Sequence, residues 1–272
     1  MVSWVDGQPD ERLAISDRAL AYGDGLFETM RVERGRPCLF ERHMARLRDG
    51  CGRLRIPLDD ALLRSEVLAY CAQFERGVAK LIVTRGDGLR GYAPPTPSIA
   101  RRILQSAPLP AYPAVHGESG VELFPCRTRL AEQPLLAGLK HLNRLEQVLA
   151  RGEWQDAAFA EGLMCDTSGR VIEGVFSNLF LVLDGRLLTP SLQRCGVAGV
   201  MRAEIIERAA AAGMLVEQRD ISVEELQRAE EIFLCNSLYG IWPVRRLRQR
   251  IWPVGGVTRK LQALLSEHPG NS

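Results

Sequence analysis

Apolar positions recur along this chain at two spacings, and together they predict its elements. At helical spacing, Met44, Leu47, Cys51 and Leu54 mark one face of a helix. Leu62, Leu63, Val67, Leu68 and Cys71 mark the inward face of a second, over 59–74. Continuous or alternating apolar runs predict strands at 26–33, 79–84 and 99–104. Ahead of these, 2–5 and 13–15 flank Asp6-Gly7 as a hairpin, and Ser16-Asp17 can cap a short helical turn ending near Tyr22-Gly23.

Pro108, Pro110 and Pro113, followed by Gly117 and Gly120, interrupt the pattern. They divide the chain into an N-terminal α/β domain (1–107), a linker (108–119) and a C-terminal domain (120–272). In the second part, strands are expected at 121–125, 157–160, 162–165, 171–175, 179–183, 187–189, 214–218, 231–235 and 241–247. Helices are expected at 143–151, 201–212, 223–227 and 258–265. Leu142, Leu145, Val148 and Leu149 would form the buried face of the helix over 143–151. Strands and helices in both parts indicate an α/β (α+β) protein of two domains.

Composition narrows the function. With 272 residues, 46% of them hydrophobic and 25% charged, the chain is typical of soluble globular proteins. A net charge of +2 gives no general attraction to nucleic acid or an anionic membrane, so any anion site must be local. Seven cysteines stand singly with no Cys-x-x-Cys pair, which speaks against disulfides and a zinc site and for reduced thiols in the cytoplasm. No signal peptide and no membrane-length apolar run is visible.

Four features point to one chemistry. Lys140 stands on irregular chain after Gly138, just before an apolar-faced helix; a lysine turned into a pocket becomes a usable nucleophile or base. Glu173 lies among apolar neighbours, where a carboxylate needs a partner. Gly196-Val197-Ala198-Gly199-Val200-Met201 opens a helix with small residues, letting backbone N–H groups approach an anion. Arg46 can grip a phosphate bidentately. A lysine nucleophile, a buried acid and a phosphate cradle are the needs of pyridoxal 5'-phosphate: a Schiff-base amine, a partner for the pyridine nitrogen and an anchor.

These stretches resemble the fold type IV pyridoxal phosphate enzymes, which include branched-chain aminotransferases, D-amino acid aminotransferases and aminodeoxychorismate lyases. The resemblance runs from about Val5 to Val244. It takes in Ser16-Asp17-Arg18-Ala19, Tyr22-Gly23-Asp24-Gly25-Leu26-Phe27-Glu28-Thr29, His43-Met44-Ala45-Arg46-Leu47 and Ser177-Asn178-Leu179-Phe180. Within the superfamily, Lys140-His141-Leu142-Asn143-Arg144-Leu145-Glu146-Gln147, Arg85 to Tyr92 and Cys235-Asn236-Ser237-Leu238 are more similar to the lyases, although Ser237 stands where many lyases carry alanine.

The resemblance implies a cofactor held between the domains of a homodimer, with each site near the subunit interface. It implies Lys140 as Schiff-base lysine, Glu173 on the pyridine nitrogen, and Arg46 with the backbone of Ala198, Gly199 and Val200 on the phosphate. Ser177, Asn178, Asn236 and Ser237 join the cofactor site. Arg90, Tyr92, Arg85 and Arg144 are candidates for a substrate with two carboxylates; His141 receives no chemical role. The implied reaction converts 4-amino-4-deoxychorismate to 4-aminobenzoate and pyruvate. The rivals are an aminotransferase on the same scaffold and, outside catalysis, a binding protein with a basic helix face at Arg144 and Arg151.

Overall fold

The computed structural model describes residues 2–88 and 90–266; Met1, Leu89 of the glycine-rich loop and 267–272 lie outside the described residues. The chain forms two units. The first runs through Pro110 and takes in Leu139–Asn143; the second holds Ala111–Gly138 and the chain from Arg144 onward. The chain therefore leaves the second unit at Gly138, lends five residues to the first, and returns.

In the first unit the elements are β1 (Trp4–Val5), β2 (Gln8–Pro9), α1 (Arg18–Tyr22), β3 (Gly25–Glu33), β4 (Arg36–Pro37), α2 (Phe40–Leu54), α3 (Asp60–Cys71), β5 (Arg76–Thr84) and β6 (Arg101–Ala107). The strands form one sheet in the order β2-β1-β6-β5-β3-β4, and every pairing is antiparallel. The expected hairpin arm at 13–15 is not a strand: the partner of β1 is Gln8–Pro9, reached by a turn in which Asp6 and Gly7 both take positive φ. Asp17 caps α1, its carboxylate accepting from the Ala19 N–H at 2.8 Å.

The α2 face is as its spacing predicts, with Met44, Leu47 and Cys51 buried and His43 and Gly50 beside them. On α3 the buried face is Leu63, Val67, Tyr70 and Cys71, while Leu62 and Leu68 are substantially exposed. Tyr70 is large enough to claim the inward position and rotates the two leucines to the flank; its ring stands edge-on to Trp4 and Phe74.

The second unit contains α4 (Val115–Glu118), β7 (Val121–Leu130), α5 (Leu145–Arg151), β8 (Phe159–Asp166), β9 (Val171–Gly174), β10 (Asn178–Leu183), β11 (Arg186–Pro190), α6 (Val200–Ala211), β12 (Val216–Arg219), α7 (Val223–Arg228), β13 (Glu231–Asn236), β14 (Gly240–Leu247), β15 (Arg250–Ile251) and α8 (Gly256–Ser266). Its sheet runs β12-β11-β10-β13-β14-β7-β8-β9, and a further β9–β10 pairing closes β10-β13-β14-β7-β8-β9 into a ring. That closing pairing is Glu173 against Asn178. The two short strands expected at 157–160 and 162–165 are one strand, β8. Gly162 lies within it as a packing residue, since a side chain there would collide with Trp154 and Cys126.

The core of the ring is apolar on nearly every residue of β10 and β13, as a strand covered on both faces should be. Phe180 and Phe233 stack at 5.0 Å between centroids, both with no exposed surface. The expected buried face of α5 is a correction: Leu145, Val148 and Leu149 are 76%, 63% and 63% exposed, and Ala150 is the buried residue. The helix begins at Leu145 rather than 143, and its smallest side chain faces the sheet.

Replacing Phe180 by Ala removes half of a dry stacked pair with no room to collapse. A loss of about 3–5 kcal/mol of unfolding free energy is expected, measured by urea titration; a loss no greater than that of a surface substitution would mean the pair is not part of the core.

Candidate active site

The closing pair of the ring fixes the acid. Glu173 lies in β9, 4% exposed, and its Oε2 accepts from the Val197 N–H at 2.9 Å and from Asn178 Nδ2 at 3.3 Å. Asn178 also donates to the Val197 carbonyl at 2.9 Å, so one amide orients both the carboxylate and the segment leading into α6. Gly199 is required there: a Cβ would stand 1.9 Å from Asn178 Oδ1. Gly199 is also the N-cap of α6 and supplies no side-chain oxygen to the first turn, which leaves backbone N–H groups for an anion.

Glu161, unnoticed in the sequence between two apolar segments, holds the loop that carries these groups. Its Oε1 accepts from the N–H of Gly162 at 2.8 Å and of Val175 at 3.0 Å. Its Oε2 accepts from the Phe176 N–H at 3.2 Å and the Ser177 hydroxyl at 2.7 Å. The side chain has no exposed surface, and burial lifts its carboxyl to about 7 despite these neutral donors. The Ser177 hydroxyl, a cofactor candidate by sequence, is thus committed to Glu161.

The Lys140 segment belongs to the first unit. The Phe27 N–H donates to the Lys140 carbonyl at 2.9 Å and the Leu142 N–H to the Gly25 carbonyl at 3.0 Å, so 139–143 lies along β3. Lys140 Nζ is 4.5 Å from the centre of the Phe27 ring, and the residue is half-buried. On the second unit's side, the Gly138 N–H donates to Gly196 O at 2.9 Å and the Ala198 N–H to Gly138 O at 3.0 Å. The backbone two residues before the lysine is thereby tied to the turn that opens α6.

Arg46 lies on α2 with its Nε 2.8 Å from Glu28 Oε1 and its NH2 on Glu28 Oε2. Glu28 is fully buried and also meets His43 Nδ1 at 2.6 Å. Burial alone would raise the Glu28 carboxyl; the charges of Arg46 and His43 outweigh it and hold it at about 2. Burial keeps His43 below its ordinary value. Neither partner was legible from the sequence, because the pairing joins β3 to α2 across 15 and 18 residues.

The substrate candidates separate. Arg85 is buried, with Nε and NH2 on Asp24 (2.8 and 3.0 Å), NH1 on the Arg55 carbonyl and NH2 also on the Leu54 carbonyl (both 2.8 Å). Those contacts engage all three guanidinium nitrogens in joining α2 to the loop. Arg90 and Tyr92 are exposed. Arg144, at the start of α5, is half-buried; burial lowers its guanidinium pKa while the charge of Glu173 works against that. Asn236 turns its Oδ1 to the N–H groups of Leu238 and Tyr239 at 2.9 and 3.0 Å, and Ser237 lies within that turn. Among the described residues, no group of three or more His, Cys, Asp or Glu is placed to hold a metal ion, and no helix is long and apolar enough to cross a membrane.

The chain belongs to the amino-transferase class IV family, whose model matches residues 25–247. It is 36% identical over 268 residues to the aminodeoxychorismate lyase of Vibrio harveyi, a match covering 97% of this chain and 99% of that one. A solved structure of 4-amino-4-deoxychorismate lyase from Pseudomonas aeruginosa superposes with a TM-score of 0.97 at 64% identity, covering 99% of this chain and 100% of that one. The branched-chain amino acid aminotransferase of Escherichia coli superposes with a TM-score of 0.85 at 25% identity, covering 100% of this chain and 95% of that one.

The Glu28 network has a pH signature. The folded-state pKa of about 2 lies below the ordinary 4.5, so its stabilisation is present above pH 4.5 and is lost as the pH falls towards 2. It is worth about 3 kcal/mol. Urea unfolding followed across that window should show a steep fall for the wild type and a flatter one for Glu28→Gln; equal slopes would assign the acid sensitivity elsewhere.

Proposed function

We propose that the protein is a pyridoxal phosphate-dependent lyase that converts 4-amino-4-deoxychorismate to 4-aminobenzoate and pyruvate. The observation that carries this reading is the 64% identity and TM-score of 0.97 to the Pseudomonas aeruginosa lyase over nearly the whole of both chains. The residues fit the cofactor. Lys140 supplies the amine, Glu173 the anion for a protonated ring nitrogen, and the first turn of α6 a run of N–H groups beyond a glycine cap. Arg46 adds a cation on a helix whose orientation Glu28 fixes. Lys140 stands two residues after Gly138, so its Cα lies within about 7 Å of the backbone that pairs with Gly196 and Ala198, whatever the arrangement of the units.

Bound there, pyridoxal phosphate supplies an electron sink conjugated to the substrate's amine-bearing carbon. The Lys140 amine takes the proton from that carbon as general base. Glu173, kept in place by Val197 and Asn178, holds a proton on the ring nitrogen. The bond between the ring carbon and the enolpyruvyl oxygen then breaks; enolpyruvate departs and takes up a proton to become pyruvate, and the six-membered ring becomes aromatic, which makes the direction downhill. Arg90, Tyr92 and Arg144 are assigned to the substrate, with cationic groups meeting its carboxylates.

The test is to incubate the protein with chorismate, glutamine and an aminodeoxychorismate synthase and follow fluorescent 4-aminobenzoate. Lys140→Ala should lower the rate by roughly a thousandfold or more. A near-normal rate in that variant refutes the assignment of Lys140. Rapid transamination of a branched-chain or D-amino acid, with no pyruvate from aminodeoxychorismate, transfers the protein to the aminotransferases.

We further propose a homodimer in the cytoplasm. The exposed Leu145, Val148 and Leu149 share one face of α5 by their i, i+3, i+4 spacing, a pattern that in a lone chain would stand in water. All seven cysteines are free and buried, as suits a reducing compartment. Sedimentation should give twice the chain mass, and Val148→Asp with Leu149→Asp should shift it to the single-chain mass. A double variant that sediments like the wild type would take this face out of the interface.

A further inference from the structure

Arg18 is placed where an arginine ordinarily reaches water, in the first turn of a short helix, yet it is 4% exposed. Its Nε donates to Asp24 Oδ2 at 2.8 Å. Its NH1 donates to the carbonyls of Gly91 and Ala93 at 3.1 and 3.4 Å, and its NH2 to the carbonyl of Tyr92 at 3.0 Å. Three successive loop carbonyls are thus bound by one guanidinium, whose planar fork of donors can serve several acceptors at once. Asp24 holds Arg85 as well; burial would raise its carboxyl, but hydrogen bonds from Arg85 and Arg18 overcome this and keep it an anion.

The rest of α1 joins the grip. Tyr22 Oη accepts from the Gly91 N–H at 3.1 Å. Its ring lies 4.8 Å from Arg18 Cζ and 5.5 Å from the Tyr92 ring. Gly88 lies against the Arg18 stem, and a Cβ there would stand 2.7 and 2.8 Å from its Cδ and Cγ, so glycine at this point of the loop makes room for the arginine. What the gripped backbone carries outward is exposed: Arg90 and Tyr92, the latter 87% accessible.

A surface loop otherwise exchanges its carbonyls with water and samples several shapes. We propose that Arg18 is a positioning residue for the substrate: by fixing the backbone of 91–93 it presents Arg90 and Tyr92 in one conformation, so that binding does not have to order the loop. This rests on the reading of Arg90 and Tyr92 as substrate groups. The contacts of Arg18 run to Asp24 and the loop and not to Lys140 or the cofactor residues, so its effect belongs in KM and not in the chemical step.

Steady-state kinetics of the cofactor-loaded full chain with 4-amino-4-deoxychorismate tests this, using the wild type, R18K, Y22F, R90A and R18K/R90A. R18K keeps a cation beside Asp24 but loses the fork; KM should rise about tenfold. Its kcat and cofactor absorbance spectrum should match the wild type. R90A should raise KM comparably, and the double variant should fall well short of the product of the two single effects, because part of the Arg18 effect acts through Arg90.

Y22F deletes one hydrogen bond to Gly91 and should raise KM about threefold; it decides the matter should R18K fail to fold. A KM within about twofold of wild type in R18K, or in Y22F when R18K does not fold, overturns the proposal. So do effects of R18K and R90A on KM that multiply. In either case an R90A effect leaves the substrate reading of Arg90 standing. An R90A enzyme with wild-type KM removes that reading and the proposal together.

Discussion

The pairing of Glu173 with Asn178 is the constraint from which the second unit's chemistry follows. It is a structural contact first: the single β9–β10 partnership closes the ring of strands. It is also the contact that points a carboxylate, since Asn178 donates to Glu173 and to the Val197 carbonyl in the same grip. A buried anion is costly unless its oxygens are satisfied. Here the backbone N–H of Val197 supplies one bond and ties the acid to the segment that becomes α6. Closure of the sheet, orientation of the acid and placement of the helix start are therefore one set of hydrogen bonds. A change at Gly199 would disturb all three, because the space for its Cβ is already taken by Asn178.

Buried carboxylates elsewhere show how neighbours set the state of the same group. Glu28 and Asp24 each sit against arginines and stay well on the anionic side. Glu161 is as deeply buried as Glu28 but meets three backbone N–H groups and one hydroxyl, and its carboxyl rises to about 7. Neutral dipoles satisfy its geometry without a counter-charge, so desolvation prevails. The arginine-paired acids titrate below their ordinary values, whereas the Glu161 carboxyl that holds residues 175–177 can gain a proton near neutrality.

Much of this was legible in the sequence, and the exceptions have physical reasons. The motif around Lys140, the glycines before α6 and the apolar runs of β10 and β13 carry local signals, and the elements lie where the pattern predicts within a few residues. Asn178 could be named from its place in the motif. The contacts of Glu161, of Glu28 with His43, and of Asp24 with Arg18 could not, because each joins residues distant in sequence or buries a group whose type is usually exposed. Arg85 shows the same limit: its bonds to Asp24 and to two carbonyls could not be read from its place in a glycine-rich loop. On α5 the apolar spacing does mark a face, but an exposed one, since periodicity says which side chains lie together and not what covers them.

The family likeness leaves one question to the loops. A lyase and an aminotransferase share this scaffold, as the superpositions on both kinds of enzyme make plain, and a scaffold held in common cannot choose between their reactions. The groups that remove a proton and store electrons serve both. What can discriminate is whichever part of the chain meets a substrate's distinguishing groups, here carboxylates around a six-membered ring. In the first unit the glycine-rich loop suits that role, because its glycines give it the turns and the clearance for Arg18, and Asp24 anchors the clamp through two arginines. On the reading proposed above, selectivity would rest on exposed positions such as Arg90 and Tyr92, apart from the groups at Lys140 and Glu173 that both reactions need.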